Sequence, residues 1–340
     1  MDEVKRITET VAAAVRQVYG RSAGLIPLHA PSFKGREWEY VKECLDTGWV
    51  SSVGQYVDRF EKSLADYTGS PHAVATVNGT AAIHVALLLS GVQAGDEVLC
   101  PAFTFVATIS AIVYCGAHPV FMDSDPKTLG MDATKVSRFL RERGVKQGEG
   151  FTINRQSGRR IAACIPMHAY GYPVQMEPLL EVCTEYRVPV VEDAAEALGS
   201  FYKGKHCGTF GRFGILSFNG NKIMTTGGGG AILCKEPDQA KTAKHLTTTA
   251  KIDHPWDYVH NAVGYNYRLP NLNAALGCGQ LEALESTLLR KRKQAEEFNR
   301  ATEGAKDIEV VQPQAHEVNH WFNLVRVPSS RREEILKELT

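Results

Sequence analysis

The chain has no excess of either charge: its 340 residues carry 38 basic and 38 acidic side chains. A balanced chain builds no general field for nucleic acid or a membrane surface, and no basic recognition helix stands out along it. Paired cysteines are missing as well. The eight cysteines, at 44, 100, 115, 164, 183, 207, 234 and 278, never fall into a CxxC spacing. That argues against zinc and disulfides and for buried structural thiols in a reducing cytosol. The opening Met-Asp-Glu-Val-Lys has no apolar signal-peptide core, so a cytoplasmic protein is expected. Internal repeats and low-complexity tails are absent. One stretch lacks charge altogether, Cys100 to Met122, and it is long enough to span a bilayer. Gly116-Ala117-His118-Pro119 interrupts it, however, and Thr104, Thr108 and Ser110 are spaced as in a helix buried between two strands.

What is present is a regular alternation. Apolar strands are expected at 73–77, 97–100, 119–122, 161–166 and 188–192, with helical runs at 80–90, 105–115, 132–143 and 176–186 between or beside them. This pattern predicts an α/β domain with a mostly parallel buried sheet and a ligand at the carboxyl ends of its strands. Asn78, Phe105, His168 and Asp193 all follow strand ends, on one edge. Residues 145–160 are polar and glycine-rich and read as a surface hairpin or loop, and a long helical pattern runs from Asn271 to about Glu303. A chain of this length exceeds what one core usually serves. The expected division is a helical extension over 1–24, a large domain over 25–270, and a linking helix with part of a smaller domain over 271–340.

Three separated sites point to one chemistry. Lys222 follows the apolar stretch Phe213-Gly214-Ile215-Leu216, its neighbours in sequence are small and amide residues rather than carboxylates, and Gly227 to Gly230 come soon after. Such a lysine is placed to lose a proton and attack a carbonyl, as Schiff-base formation requires. The apolar run 188–192 ends at Asp193, a carboxylate able to pair with a protonated pyridine nitrogen. Asn78-Gly79-Thr80 joins a strand to a helix start whose free N–H groups suit a phosphate, and Ser217 adds a hydroxyl. Singly, a lysine after a strand is more often a solvated loop residue, and the other two are more often helix caps. Their order and spacing together select pyridoxal phosphate as cofactor, with no metal.

The same residues carry a family resemblance. Asn78 to Ala82, Pro101 to Ala107, Glu192 to Ala197, Ser217 to Lys222 and Gly264-Tyr265-Asn266-Tyr267-Arg268 resemble the nucleotide-sugar aminotransferases of the DegT/DnrJ/EryC1/StrS family, from about Ile26 to about Leu284. Ile26-Pro27-Leu28-His29, the run Tyr40 to Gly54, Asn219-Gly220-Asn221 and a leading helix over residues 2–20 are similar to the subgroup that aminates C4 of UDP-4-keto-6-deoxy-N-acetylglucosamine for bacillosamine and legionaminic acid.

The resemblance implies a fold type I pyridoxal-phosphate aminotransferase, with a large mixed, mostly parallel sheet between helices and a smaller α+β domain. It implies L-glutamate as amino donor and a nucleotide-sugar as acceptor. Lys222 would serve as nucleophile and proton carrier, and Phe105 would stack on the cofactor ring, a position otherwise read as an ordinary core phenylalanine. Glu196 stands where relatives often have His or Gln beside the ring hydroxyl; facing solvent or substrate is its alternative. Asn266 would reach the phosphate of the neighbouring subunit, which makes the active unit a homodimer. Trp49, Ser51 and His320 are candidate sugar or nucleotide contacts, or equally a buried aromatic, a turn serine and a capping histidine. Lys222 argues against the sugar dehydratases of this fold, which lack that lysine. A GDP-linked 4-keto-6-deoxymannose, a dTDP-keto-sugar or another ketone remains open as acceptor, as does a non-enzymatic binding role. Arg331 to Thr340 reads as a helix that stops short of the length usual in related chains, so the smaller domain is expected to be incomplete.

Overall fold

A computed structural model describes residues 3–20, 24–148, 150–313 and 317–340. Residue 2 of the expected leading helix, residues 21–23 of the extension and residue 149 of the expected hairpin lie outside the described residues. The helices are α1 (Glu3–Tyr19), α2 (Glu37–Thr47), α3 (Gln55–Thr68), α4 (Gly79–Leu89), α5 (Val106–Tyr114), α6 (Ala133–Arg143), α7 (Met176–Glu185), α8 (Pro237–Thr247), α9 (Asn271–Glu282), α10 (Leu284–Ala301) and α11 (Arg332–Leu339). The strands are β1 (His72–Thr76), β2 (Glu97–Pro101), β3 (His118–Met122), β4 (Gly144–Gln147), β5 (Phe151–Asn154), β6 (Arg160–Cys164), β7 (Val191–Asp193), β8 (Phe201–Tyr202), β9 (Lys205–His206), β10 (Phe213–Ser217), β11 (Gly230–Cys234), β12 (Glu309–Val310) and β13 (Val325–Arg326).

Strands β3, β2 and β6 are parallel neighbours, as are β7 and β10. Parallel bridges Cys164↔Val190 and Met167↔Asp193 join β6 to β7. Beyond β10 the pairing turns antiparallel, through β11 to β1. The layer is therefore mixed but mostly parallel, as expected. Strand β11 was not foreseen: its Gly-rich lead-in reads as a loop. Residues 145–160 also do more than cap the surface, because β4 and β5 form an antiparallel hairpin that extends the sheet from β6.

Both faces of the sheet are buried, which is why its strands read as continuous apolar runs. Val74, Val98, Cys100 and Ile215 pack on one side with α4, α5 and α8 residues. Ala73, Ala75, Leu99 and Leu216 pack on the other with α2, α3, α6, α7 and α9 residues. Helix α4 is buried almost all round. The uncharged stretch from Cys100 to Met122 resolves into β2, α5 and β3, and no described helix is long and apolar enough to cross a membrane. All eight cysteines are free and buried.

The expected single helix over 271–303 is two. Helix α9 stops at Glu282, where the Ala283 N–H turns back to the carbonyls of Gly279 and Gln280 at 3.3 and 3.2 Å. Close packing fixes its direction: a Cβ on Gly279 would lie 2.8 Å from the Glu37 nitrogen of α2. Helix α10 then leaves this contact, and α1 packs on it and on α11, with Val4 and Ile7 against Ile335.

Candidate active site

Because β1, β2, β6, β7 and β10 run the same way, their carboxyl ends share one edge, the edge that forms the crevice in open α/β sheets. At β1 the chain turns through Asn78 into α4, and the Asn78 Oδ1 accepts the Ala81 N–H at 2.8 Å. The N–H groups of Gly79 and Thr80 precede the intrahelical ladder and have no partner among the described residues. The turn is pressed onto the sheet: a Cβ on Gly230 would lie 2.5 Å from the Asn78 carbonyl carbon, and one on Gly79 would lie 3.0 Å from the Ser217 Cβ. This is a backbone cradle at a helix N-terminus with a hydroxyl beside it, a fit for a phosphate group.

Asp193 ends β7 and is 2 % exposed. Its Oδ2 accepts the Thr108 hydroxyl at 2.6 Å and its Oδ1 the Ala195 N–H at 3.1 Å. A carboxylate has about four acceptor positions, so capacity remains for a ring N–H. Next to it, Glu192 is fully buried and bonds His168 Nε2 at 3.1 Å. Burial alone would raise the Glu192 carboxyl, but His168 and the N–H groups of Gly208 and Gly211 hold it below the ordinary value. The His168 Nδ1 accepts the Val174 N–H, and its backbone N–H donates to the Asp193 carbonyl. This pair anchors the strand end that carries Asp193.

Lys222 sits on the loop from β10 to β11, which is closed at its base by Phe218 N–H to Gly229 O at 2.8 Å and Thr226 N–H to Phe218 O at 2.9 Å. The lysine is not free of carboxylates in space. Its Nζ lies 3.2 Å from Glu196 Oε1, with both side chains nearly buried. Glu196 is 26 positions away in sequence, and the turn after β7 brings it in, so flanking residues did not reveal the pair. The second Glu196 oxygen accepts the Tyr170 N–H at 2.7 Å. Burial raises the Glu196 carboxyl, Lys222 and that N–H oppose the rise, and Asp193 adds to it. On its other side the Lys222 Nζ stands 4.4 Å from the centre of the Trp321 ring.

Phe105 caps α5 at the same edge, 63 % exposed. Asn266 lies on a segment tied to this edge through Tyr267 O, which accepts the Val77 N–H at 2.8 Å. Its own side chain is exposed and accepts from Arg268 at 2.8 Å. The Trp49 and Ser51 carbonyls accept from Asn271 at the start of α9, at 2.7 and 2.6 Å, and Asn273 of the same helix donates to Thr226 O on the Lys222 loop at 2.7 Å. The Trp49 side chain is 59 % exposed rather than a buried aromatic. His320 lines a cleft of about 980 Å³ between α1, residues 24–28 and α10, and burial lowers its imidazole. Thr108, Tyr170, Asn319 and Trp321 were missed. Thr108 lies in the first turn of α5, where its hydroxyl meets that of Thr104 just before the helix at 2.9 Å. The other three are set by contacts distant in sequence.

A nearly buried amine, a buried carboxylate and an anion cradle on one sheet edge are the parts of a pyridoxal-phosphate site, and the residues present fit that group. The chain belongs to the DegT/DnrJ/EryC1/StrS aminotransferase family, which it matches over residues 31–340. It is 40% identical over 268 residues to a GDP-perosamine synthase of Caulobacter vibrioides, a match covering 79% of this chain and 67% of that one. It is 36% identical over 309 residues to the GDP-perosamine synthase of Escherichia coli O157:H7, covering 91% and 79%. Its fold is similar to the pyridoxal-phosphate form of a sugar aminotransferase, Spr1654, from Streptococcus pneumoniae, with a TM-score of 0.80 at 25% identity over 92% of this chain and 82% of that one. The fold is fold type I, and the cofactor is pyridoxal phosphate.

Proposed function

We propose that this chain transfers an amino group from L-glutamate to the C4 ketone of a GDP-linked 4-keto-6-deoxymannose, as the active unit of a homodimer working in the cytosol. The observation that carries the reading is the convergence of Lys222, Asp193 and the α4 N-terminus on one sheet edge. The GDP-perosamine synthases among the relatives support the GDP-linked acceptor. The UDP-linked acceptor expected from residues 26–29, 40–54 and 219–221 and the leading helix is not among these relatives' substrates by name, so the GDP-linked alternative is adopted.

When bound, the cofactor supplies the carbonyl that takes up the amino group and a ring that delocalises the electrons left at the donor carbon. The chain does the rest. Lys222 provides the attacking amine and afterwards carries a proton, because one amine can serve in turn as nucleophile, base and acid. Asp193 keeps the ring nitrogen protonated. Gly79, Thr80 and Ser217 would hold the phosphate, Phe105 would stack on the ring, and Glu196, which pairs with Lys222 at 3.2 Å, would lie by the ring hydroxyl. Asn266 extends across the interface to the other subunit's phosphate, and Trp49, Ser51 and His320 are assigned to the nucleotide-sugar side.

The test is amine formation by the cofactor-loaded protein with L-glutamate and a panel of GDP-, UDP- and dTDP-linked 4-keto-6-deoxy sugars. The GDP-linked 4-keto-6-deoxymannose should be the preferred acceptor. Faster turnover of a UDP- or dTDP-linked sugar would reassign the acceptor, and a colourless protein inert towards every ketone would sink the enzymatic reading.

A further inference from the structure

Lys222 has a second partner besides Glu196. The Trp321 ring, 4 % exposed, stands 4.4 Å from its Nζ, and the ring is tied to the lysine's own loop by Trp321 Nε1–H to Asn221 O at 2.7 Å, across 100 positions of sequence. Two further bonds hold the tryptophan, and a third ties its partner Asn319 to Glu196. Its N–H donates to Asn319 Oδ1 at 3.0 Å, its carbonyl accepts the Lys291 Nζ at 2.9 Å, and Asn319 Nδ2 donates to the Glu196 carbonyl at 2.7 Å. His320, between them, has φ 48°, the left-handed turn that points both neighbours inward. Gly171, at φ 84°, makes room: a Cβ there would lie 2.3 Å from Asn319 Oδ1 and 2.8 Å from the Glu196 carbonyl oxygen.

We infer that Trp321 is a positioning residue for Lys222: its ring face, with the Glu196 carboxylate, forms a two-sided cradle for the lysine ammonium, and Asn319 sets both walls. The inference rests on the reading of Lys222 as the reactive amine and adds a residue to it. A ring face attracts a cation through its quadrupole and attracts a neutral amine far less, by roughly 0.5–1 kcal/mol at partly exposed sites and more when desolvated. The other groups around the pair are Asp193 and Tyr170 beside Glu196 and Lys291 beyond the Trp321 carbonyl. None of these touches the ring face. The cradle therefore positions the Lys222 Nζ between the Trp321 ring and Glu196, and makes that position depend on the docking of residues 317–322.

Fluorinated tryptophans weaken the ring quadrupole without changing its shape. The chain has four tryptophans, and Trp38, Trp49 and Trp256 are 76, 59 and 84 % exposed, so replacing all four with fluorinated residues reports on Trp321 where Lys222 is read. The cofactor-free protein is treated at fixed pH with formaldehyde and cyanoborohydride, and methylation of Lys222 is compared by mass spectrometry with that of an exposed lysine in the same sample. Lys222 should be labelled progressively faster as fluorines are added, reaching about two- to five-fold, and Trp321→Leu should match or exceed the most fluorinated form. A rate unaffected by fluorination in protein with unchanged circular dichroism overturns the inference, even if Trp321→Leu fails to fold. The readout is independent of turnover, so failure of the proposed transamination leaves it interpretable.

Discussion

Lys222→Ala removes the only amine described at the sheet edge beside Asp193 and α4, so transamination and the yellow colour of the bound cofactor should both vanish. Arginine is no substitute, because its guanidinium stays protonated. Asp193→Asn should keep the fold, since the Asn oxygen can still accept the Ala195 N–H while its amide N–H donates to the Thr108 hydroxyl oxygen. It loses the charge that would hold a protonated ring, a hydrogen bond worth roughly 1.5–3 kcal/mol. Cofactor affinity should fall at least tenfold by equilibrium dialysis, and wild-type affinity would remove Asp193 from this role. Asp193 was legible because it terminates an apolar strand and Lys222 because it closely follows one, both local features. The Lys222 partners were not. Glu196 and Trp321 reach it through turns after β7 and beyond α10, and no spacing rule encodes such meetings.

Among elements, the parallel strands were legible because burial on both faces leaves a run of apolar residues. Strand β11 was hidden by the glycines that let Gly230 meet the Asn78 turn, and the α9–α10 break was hidden because both segments keep helical composition. The short β8–β9 hairpin carries a pH dependence. His206 is 2 % exposed, its Nε2 accepts the Gly199 N–H, and burial depresses its imidazole to about 4. The unfolded chain takes up this proton near pH 6.5 while the folded chain does not until about pH 4, so stability falls as pH drops between those values and levels off below. The loss is about 2–3 kcal/mol for a fully buried histidine. Urea denaturation of wild type and His206→Gln at pH 7 and pH 4.5 checks this: the variant should lose distinctly less stability on acidification, and equal losses would show that His206 does not charge on unfolding.

For the whole molecule, the alternation of apolar strands and helices pointed to the α/β architecture, while the acceptor was not legible, because the motifs that identify the family mostly surround the cofactor and say little about the nucleotide. Assembly is the remaining question at this scale. Trp256, Tyr258 and Val263, close before Asn266 in sequence, are 84, 81 and 82 % exposed. If Asn266 serves the other subunit's site, Lys222→Ala and Asn266→Ala subunits complement each other. Mixed after dissociation, they should recover up to about a quarter of wild-type activity, from the intact half of a statistical population of mixed dimers. No recovery despite verified exchange would return Asn266 to its own subunit. The central claim, that Lys222 is the residue to which pyridoxal phosphate bonds, is tested most directly by borohydride reduction of the cofactor-loaded protein followed by peptide mass spectrometry. The account predicts one pyridoxyl phosphate per chain, on the peptide containing Lys222; a label on any other lysine, or none on a protein that retains its cofactor, contradicts it.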